Sequence, residues 1–418
     1  MIVCLRRGFW VALHRYLGLA MLALLLVISL TGSLVAFEHE LDAWLNPALL
    51  RTGHTRPALP PDEIMARVEQ ADARLRVSFL PLDGQPGDAL ELRVAPRIDP
   101  ESGKPFALSF DRLLVDPSSG EVLGQRRWGA LRLDRPHLMS MLYLLHRKLQ
   151  LPDPWGMWAT GGVALAWLSA ALIGTFLTLP RRRKKMKAQP LPGHWTSGAS
   201  ARLADFWRRW KPAWQVKRGA AWQRTNFDMH RAVALWSLPV ALVLAMSGVY
   251  FSLGKEVFRP MVSLFGTLTP NPAQTLPRIA APEQRPPALG VQEALARARP
   301  LLPAAAQDFL PWYAMHLPQQ GVYRIAFKED GMRERALRLR YEQVFIDDQT
   351  GESKGLNGYE SGTNSDRFLI WQYPLHSGKV LGLAGRVLVC ALGLLTASLC
   401  ITGLLLWWSR RRAILRVR

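Results

Sequence analysis

The sequence predicts a membrane α-helical protein: four transmembrane helices in two repeats, with two small α+β domains outside the bilayer. Three observations predict it. Four apolar runs carry no charge, basic residues gather on one side of them, and the same residues recur at a fixed offset. The averages over 418 residues, 49% hydrophobic with a mean hydropathy of +0.02, look like those of a water-soluble chain, but they conceal this segregation.

The uncharged runs are 17–37, 155–179, 232–253 and 387–408. Each is 21 to 25 residues long, enough to cross a hydrocarbon core of about 30 Å as a helix. The first run is too long for a signal-peptide core, and no small-residue cleavage site precedes Glu38-His39-Glu40, so it reads as an uncleaved anchor. Its segment is 1–37.

The net charge of +21 follows the same division. Arg6, Arg7 and Arg15 precede or open the first run. The loop 180–229 holds 13 Lys or Arg against Asp205 and Asp228. The tail 409–418 holds Arg410, Arg411, Arg412, Arg416 and Arg418. With four alternating helices these regions share one side, which the positive-inside rule makes cytoplasmic, along with both termini. Segments 38–152 and 254–380 then lie outside. Anionic lipid is the expected partner of the basic flanks. No aromatic-basic module supports nucleic-acid binding. The three cysteines, Cys4, Cys390 and Cys400, avoid the external segments, which excludes a disulfide there. The absence of CxxC and CxxCH removes zinc knuckles and covalently attached haem.

The repeat is explicit. Leu13-His14-Arg15, Thr31-Gly32 and Glu40 recur as Met229-His230-Arg231, Ser247-Gly248 and Glu256, each 216 residues on. Leu145-His146, Ile173-Gly174-Thr175 and the stop Arg181-Arg182-Arg183 correspond to Leu375-His376, Ile401-Thr402-Gly403 and Arg410-Arg411-Arg412, with one residue of difference in spacing. Both external segments repeat a helical stretch (61–73, 290–298) and β-prone runs (75–80, 90–94 and 106–115; 309–316, 321–327 and 336–346). Each then has an acidic turn, 116–121 or 348–352, whose Asp and Gly are turn chemistry. Two carboxylates in such a turn are a hairpin feature rather than a calcium site. Segments 188–200 and 265–288 read as linkers.

Two histidines reach each membrane face, one from each repeat. His14 and His230 sit near the inner ends of the first and third runs, and His146 and His376 just before the second and fourth. Two imidazoles from facing helices can ligate one haem iron axially, so four make two sites. A lone histidine near an interface is ordinarily a polar surface residue; four at repeat-equivalent positions, paired by face, favour ligation. Gly18 and Ala234 each follow a histidine by four residues on the same helical face and leave room for a macrocycle. Gly32 and Gly248 lie five turns further on, about 27 Å away, and could admit a second macrocycle or a neighbouring helix. Arg15, Arg147 and Arg231 follow candidate ligands and could neutralise haem propionates. Trp158, Trp167, Trp236 and Tyr250 read as interfacial or packing aromatics. His39, His54, His137 and His194 lack repeat support, and His316 reads as surface. The motifs GxxxxGK[ST], HExxH, GxSxG and GxGxxG are absent, so ATP hydrolysis, zinc proteolysis, esterase chemistry and a flavin or NAD site lack sequence support.

His14-Arg15-Tyr16-Leu17-Gly18-Leu19 with Thr31-Gly32 resembles the PepSY-associated transmembrane (PepSY_TM) family. So does Pro374-Leu375-His376-Ser377-Gly378 with Thr402-Gly403 and Trp407-Trp408. The stretch 115–124 is similar to the end of a PepSY domain. The resemblance covers nearly the whole chain. It implies two PepSY-like periplasmic domains on a bacterial inner-membrane protein similar to siderophore-iron reductases of the ferrioxamine and pyoverdine type. By that implication two haem b groups would carry electrons outward to a ferric siderophore and release Fe(II). The electron donor, a quinol or a cytoplasmic or membrane reductase, is not specified, because some relatives carry a flavin/NADPH module that this sequence lacks. A non-enzymatic module binding a peptide, protease or uptake partner, and a quinone-linked cytochrome serving another acceptor, remain alternatives.

Overall fold

The computed structural model describes residues 7–53, 56–181, 199–279, 285–330 and 340–417. Cys4, Arg6, His54, Arg182, Arg183, His194, Arg418, most of the expected linker 188–200 and the start of the expected strand 336–346 lie outside the described residues.

In chain order the first half contains α1 (Arg7–Val35), α2 (Glu38–Leu45), α3 (Pro47–Leu50), α4 (Pro61–Ala71), β1 (Leu75–Pro81), β2 (Leu90–Pro96), β3 (Arg112–Val115), β4 (Val122–Arg126), α5 (Arg135–Lys148), α6 (Trp155–Thr178) and α7 (Ala199–Trp210). The second contains α8 (Trp222–Ser252), α9 (Arg259–Ser263), α10 (Pro272–Thr275), α11 (Val291–Ala298), β5 (Leu310–Leu317), β6 (Val322–Lys328), β7 (Tyr341–Asp347), β8 (Ser353–Gly358), α12 (Asn364–Ser377) and α13 (Gly382–Val417). Four of these helices, α1, α6, α8 and α13, are long and apolar enough to cross a membrane, and the chain is a membrane protein. The chain divides into a helical unit, Met1–Ser33, His146–Gly254 and Leu388–Arg418, and a sheet unit, Leu34–Leu145 and Lys255–Val387.

In the helical unit, α1 and α8 begin about ten residues before their uncharged runs. His14 and His230 therefore lie inside helices rather than ahead of them. Neither preceding stretch contains proline and Gly8 is the one glycine, so each helix continues into its apolar run without a breaker. Packing relies on small residues: a side chain at Gly161 would meet Leu253, and one at Gly393 would meet Ser33. Thr160 on α6 bonds Ser252 on α8 at 3.0 Å.

The sheet unit joins strands from both external segments. Its eight strands form one antiparallel sheet in the order β4-β3-β2-β1-β5-β6-β7-β8. β1 and β5 pair at the centre, with Phe79 opposite Met315, Leu80 opposite Ala314 and Pro81 opposite Tyr313. Each half alone would present β1 or β5 as an edge with unpaired N–H and C=O groups; joining the two removes both edges. Alternating residues build the core on one face: Val77, Leu92 and Leu113 against Ile64 and Val68 of α4, and Ile325 and Val344 against Ala294 and Ala298 of α11. The expected strands sit where β1, β2, β3, β5, β6 and β7 are found. The outer strands β4 and β8 carry Gly124, Gln125, Ser353, Lys354 and Asn357 and lack a clear apolar alternation, so the sequence did not mark them.

Both halves hold the same constellation at the acidic turns. Glu63 pairs with Arg67, whose Nη1 donates to the Ser119 carbonyl at 2.6 Å; Glu293 pairs with Arg297, whose Nη1 donates to the Thr350 carbonyl at 3.0 Å. Gly120 and Gly351, at φ of 74° and 75°, close the two turns in the left-handed region. The turn-capping carboxylates are Asp116 and Asp347, so the second turn begins one residue earlier than expected. His316 is a correction to its reading as surface. It lies on the core face of β5, is buried, and its Nε2 is 3.0 Å from Asp348 Oδ2.

Candidate functional site

α1 and α8 bring His14 and His230 together, with ring centres 6.4 Å apart and ring planes at 74°. Two nitrogens each about 2 Å from a shared metal, with about 1 Å more to each ring centre, give roughly this separation. The second ring nitrogen of each histidine is tied down. His14 Nδ1 lies 3.0 Å from the carbonyl of Ala170 on α6, which can only accept, so Nδ1 carries the proton. His230 Nδ1 lies 2.9 Å from Thr402 Oγ1 on α13, whose own proton goes to the Ser398 carbonyl at 2.8 Å. Thr402 is thereby an acceptor as well. Both Nε2 atoms keep their lone pairs, the arrangement that orients a metal-ligating imidazole.

Glycines make room for the rings. A Cβ at Gly174 would stand 3.0 Å from His14 Cε1, and one at Gly403 would stand 3.3 Å from His230 Cε1. Gly18, one helical turn above His14, has open space on its Cα, and Ala234 occupies the matching place above His230. Together these surfaces line a mostly apolar cavity of about 440 Å³, within the range of about 300–1,000 Å³ usual for cofactor-sized ligands. Arg7, Arg15, Arg231 and Arg410 also line it.

The donor set fits a haem better than a bare metal ion. Among the described residues no group of three or more His, Cys, Asp or Glu side chains converges, whereas a structural zinc takes four ligands. Two neutral imidazoles suit a metal whose other positions are filled by a macrocycle, and the cationic rim suits its propionates.

The arginines differ from one another. Arg231 is already engaged, 2.9 Å from Asp228 and 2.7 Å from the Pro212 carbonyl, which weakens its expected role. Arg15 lines the cavity with no ion-pair partner among the described residues. Arg147 is exposed, and its backbone carbonyl accepts from Thr160 at 3.2 Å.

His146 lies in the last turn of α5 and belongs to the helical unit. Its Nδ1 is 2.9 Å from the Ile28 carbonyl, and its Cε1 would be 2.7 Å from a Cβ at Gly32. The space expected at Gly32 thus receives this imidazole, while Gly248 faces Ala164 of α6. His376, in the last turn of α12, is half-buried and belongs to the sheet unit. A single unit therefore contains one complete expected pair, His14 with His230.

The sequence reading missed the two anchors Ala170 and Thr402 and the cavity arginines Arg7 and Arg410. It noted Gly174 and Gly403 only as repeat markers. Their recurrence at matching places in the repeat was the available signal.

A second cavity, about 430 Å³, lies in the sheet unit and is polar. Glu38, Asp42, Asp83, Glu91 and Arg126 line it. Arg126 is almost fully buried between Asp42, at 2.7 Å, and Glu91. Burial, with the neighbouring Asp42 and Glu91 carboxylates, pushes Glu38 up to about 7 against the opposing charges of Arg126 and Lys379.

No curated protein matches the chain. The family model described as the PepSY-associated TM region matches residues 11–410, and the chain belongs to that family.

Proposed function

We propose that this protein is a haem-containing inner-membrane reductase that passes electrons to a periplasmic ferric siderophore. The observation that carries the reading is the His14–His230 pair, with both Nδ1 atoms bonded and both Nε2 atoms left to a shared ligand. Membership in a family with haem-binding members supports it. Bound there, haem b supplies a reversible one-electron centre. His14 and His230 would hold it from two helices, Gly174 and Gly403 let those rings stand against α6 and α13, and Arg15 would meet a propionate carboxylate. The apolar lining of Leu22, Leu25, Leu235 and Leu238 would lower the polarity around a bound group.

The substrate step balances as one electron taken up by the chelated Fe(III), with the hard oxygen chelate released as the metal becomes the softer Fe(II). A quinol or a separate reductase would supply that electron. The polar cavity at Glu38 and Arg126 offers charges of both signs to a hydrophilic chelate.

The test is optical. Purified protein should show a Soret band that shifts on dithionite, with about two haems per chain by pyridine haemochrome. His14→Ala and His376→Ala should each remove one haem from a different spectral population. A colourless protein from haem-replete cells sinks the reading. Unchanged spectra in both variants reject the ligand assignment. Reduced protein mixed with a panel of ferric chelates should release Fe(II) from siderophores; no release from any of them leaves a cytochrome for another acceptor.

A further inference from the structure

Helix α7 is short, but its two faces differ sharply. At 100° per residue, Leu203, Phe206, Trp207 and Trp210 fall within one stripe about 100° wide, and Arg202, Asp205, Arg208 and Arg209 fall opposite. The stripe is only partly used by the protein. Trp210 Nε1 donates to Thr178 Oγ1 at 3.0 Å, which fixes α7 at the end of α6. Leu203 and Trp207 remain 69% and 50% exposed. An isolated soluble helix would not leave its largest apolar residues open beside a basic face.

The exposed edge continues into the spanning bundle. Trp207 and Trp214 have ring centres 6.1 Å apart, and Trp214 and Trp236 5.2 Å. Trp236 lies on α8, is 70% exposed, and donates its Nε1 proton to the Trp214 carbonyl at 3.1 Å. The apolar surface of α7 is thus a lateral extension of the apolar surface of a membrane-spanning helix. Charge selects the lipid. Asp205 is shared by Arg208 and Arg209, and Asp228 by Arg224 and Arg231. The side chains of Arg202, Lys211, Lys217 and Arg218 have no ion-pair partner among the described residues.

We propose that α7 is an interfacial helix that lies in the headgroup layer beside α8 and binds acidic phospholipid. Its Leu203–Trp207 edge enters the acyl boundary, about 5–10 Å deep, and its arginines face the phosphates. Tryptophans at this level suit the interface, where an apolar ring and a donor N–H are both satisfied.

The full chain carries a nitroxide at Leu203→Cys or at Arg208→Cys, in a Cys4→Ser background; Cys390 and Cys400 lie within α13, and the chain without an added cysteine is the control. Each is reconstituted in vesicles of phosphatidylcholine alone or mixed with phosphatidylglycerol. The Leu203 label should collide severalfold more with oxygen than with a water-soluble nickel chelate, and the Arg208 label the reverse. Arg202→Glu with Lys211→Glu should move the Leu203 label toward water. That shift should be largest when phosphatidylglycerol is present. A Leu203 label as open to nickel as the Arg208 label overturns the proposal. So does one shielded from both agents, which marks a protein partner or second copy. A response indifferent to phosphatidylglycerol overturns the acidic-lipid part. None of these readouts depends on haem.

Discussion

At the residue scale the decisive atoms are those that leave a side chain one available role. His14 and His230 each give Nδ1 to a neighbouring helix, which leaves Nε2 as the free nitrogen of two rings that line one cavity. The histidines themselves were legible in the sequence because they recur 216 residues apart. The anchors Ala170 of His14 and Ile28 of His146 were not, because each acts through a backbone carbonyl, which any residue type supplies. Glu38 is the opposite case, a titratable group set by its surroundings. Its folded value, about 7, lies above the ordinary 4.5, so the native state holds the proton more tightly than the unfolded chain. Its contribution to stability is fully present below pH 4.5 and is lost as pH rises through 7. The full loss is at most on the order of 3 kcal/mol. Glu38→Gln, which stays neutral, should therefore raise thermal stability more at pH 8 than at pH 5. Melting the full chain in detergent at both values checks this; an equal change at both would place Glu38 in ordinary solvent.

At the element scale, helices borrow what they lack from their neighbours. The N-cap residue of α11 is Gly290, which has no side chain to accept from the first amides. Asp62, in the first turn of α4, does so instead. Its Oδ1 accepts from Val291 N–H at 2.6 Å and its Oδ2 from Gln292 N–H at 3.0 Å. A side chain on residue 290 would collide with that carboxylate, since an added Cβ would lie 2.7 Å from Oδ2. One Asp thus caps a helix of the other half, with its charge at the positive end of the helix dipole. Asp62→Ala should cost about 0.5–2 kcal/mol, as read from denaturation midpoints, and Asp62→Asn, which keeps one acceptor oxygen and loses the charge, should recover only part of it. Amide exchange should accelerate at Val291 and Gln292 first. No change there on Asp62→Ala would mean that water caps α11 equally well.

At the scale of the whole molecule, what the sequence disclosed and what it withheld divide along the range of the interactions. The four spans were legible because lipid forbids charge over some twenty residues, a local rule. Strands β1 and β5 were legible as alternating runs for the same reason. That they pair with each other was not, because alternation tells which face is buried and says nothing of the partner. The pairing of Leu80 with Ala314, across a separation of more than two hundred residues, joins the two halves in one sheet. Leu80 is 1% exposed and Ala314 2%, so the seam is as dry as either core. The prediction is that the two halves unfold together. Leu80→Ala leaves a cavity at the seam and should cost about 2–5 kcal/mol. Hydrogen exchange should then accelerate in β6 and β7, which Leu80 does not belong to, as well as in β2 and β3. Two independent domains would confine the change to the half between residues 34 and 145. Exchange that rises only there would show that the continuous sheet is a contact between two folding units rather than one cooperative structure.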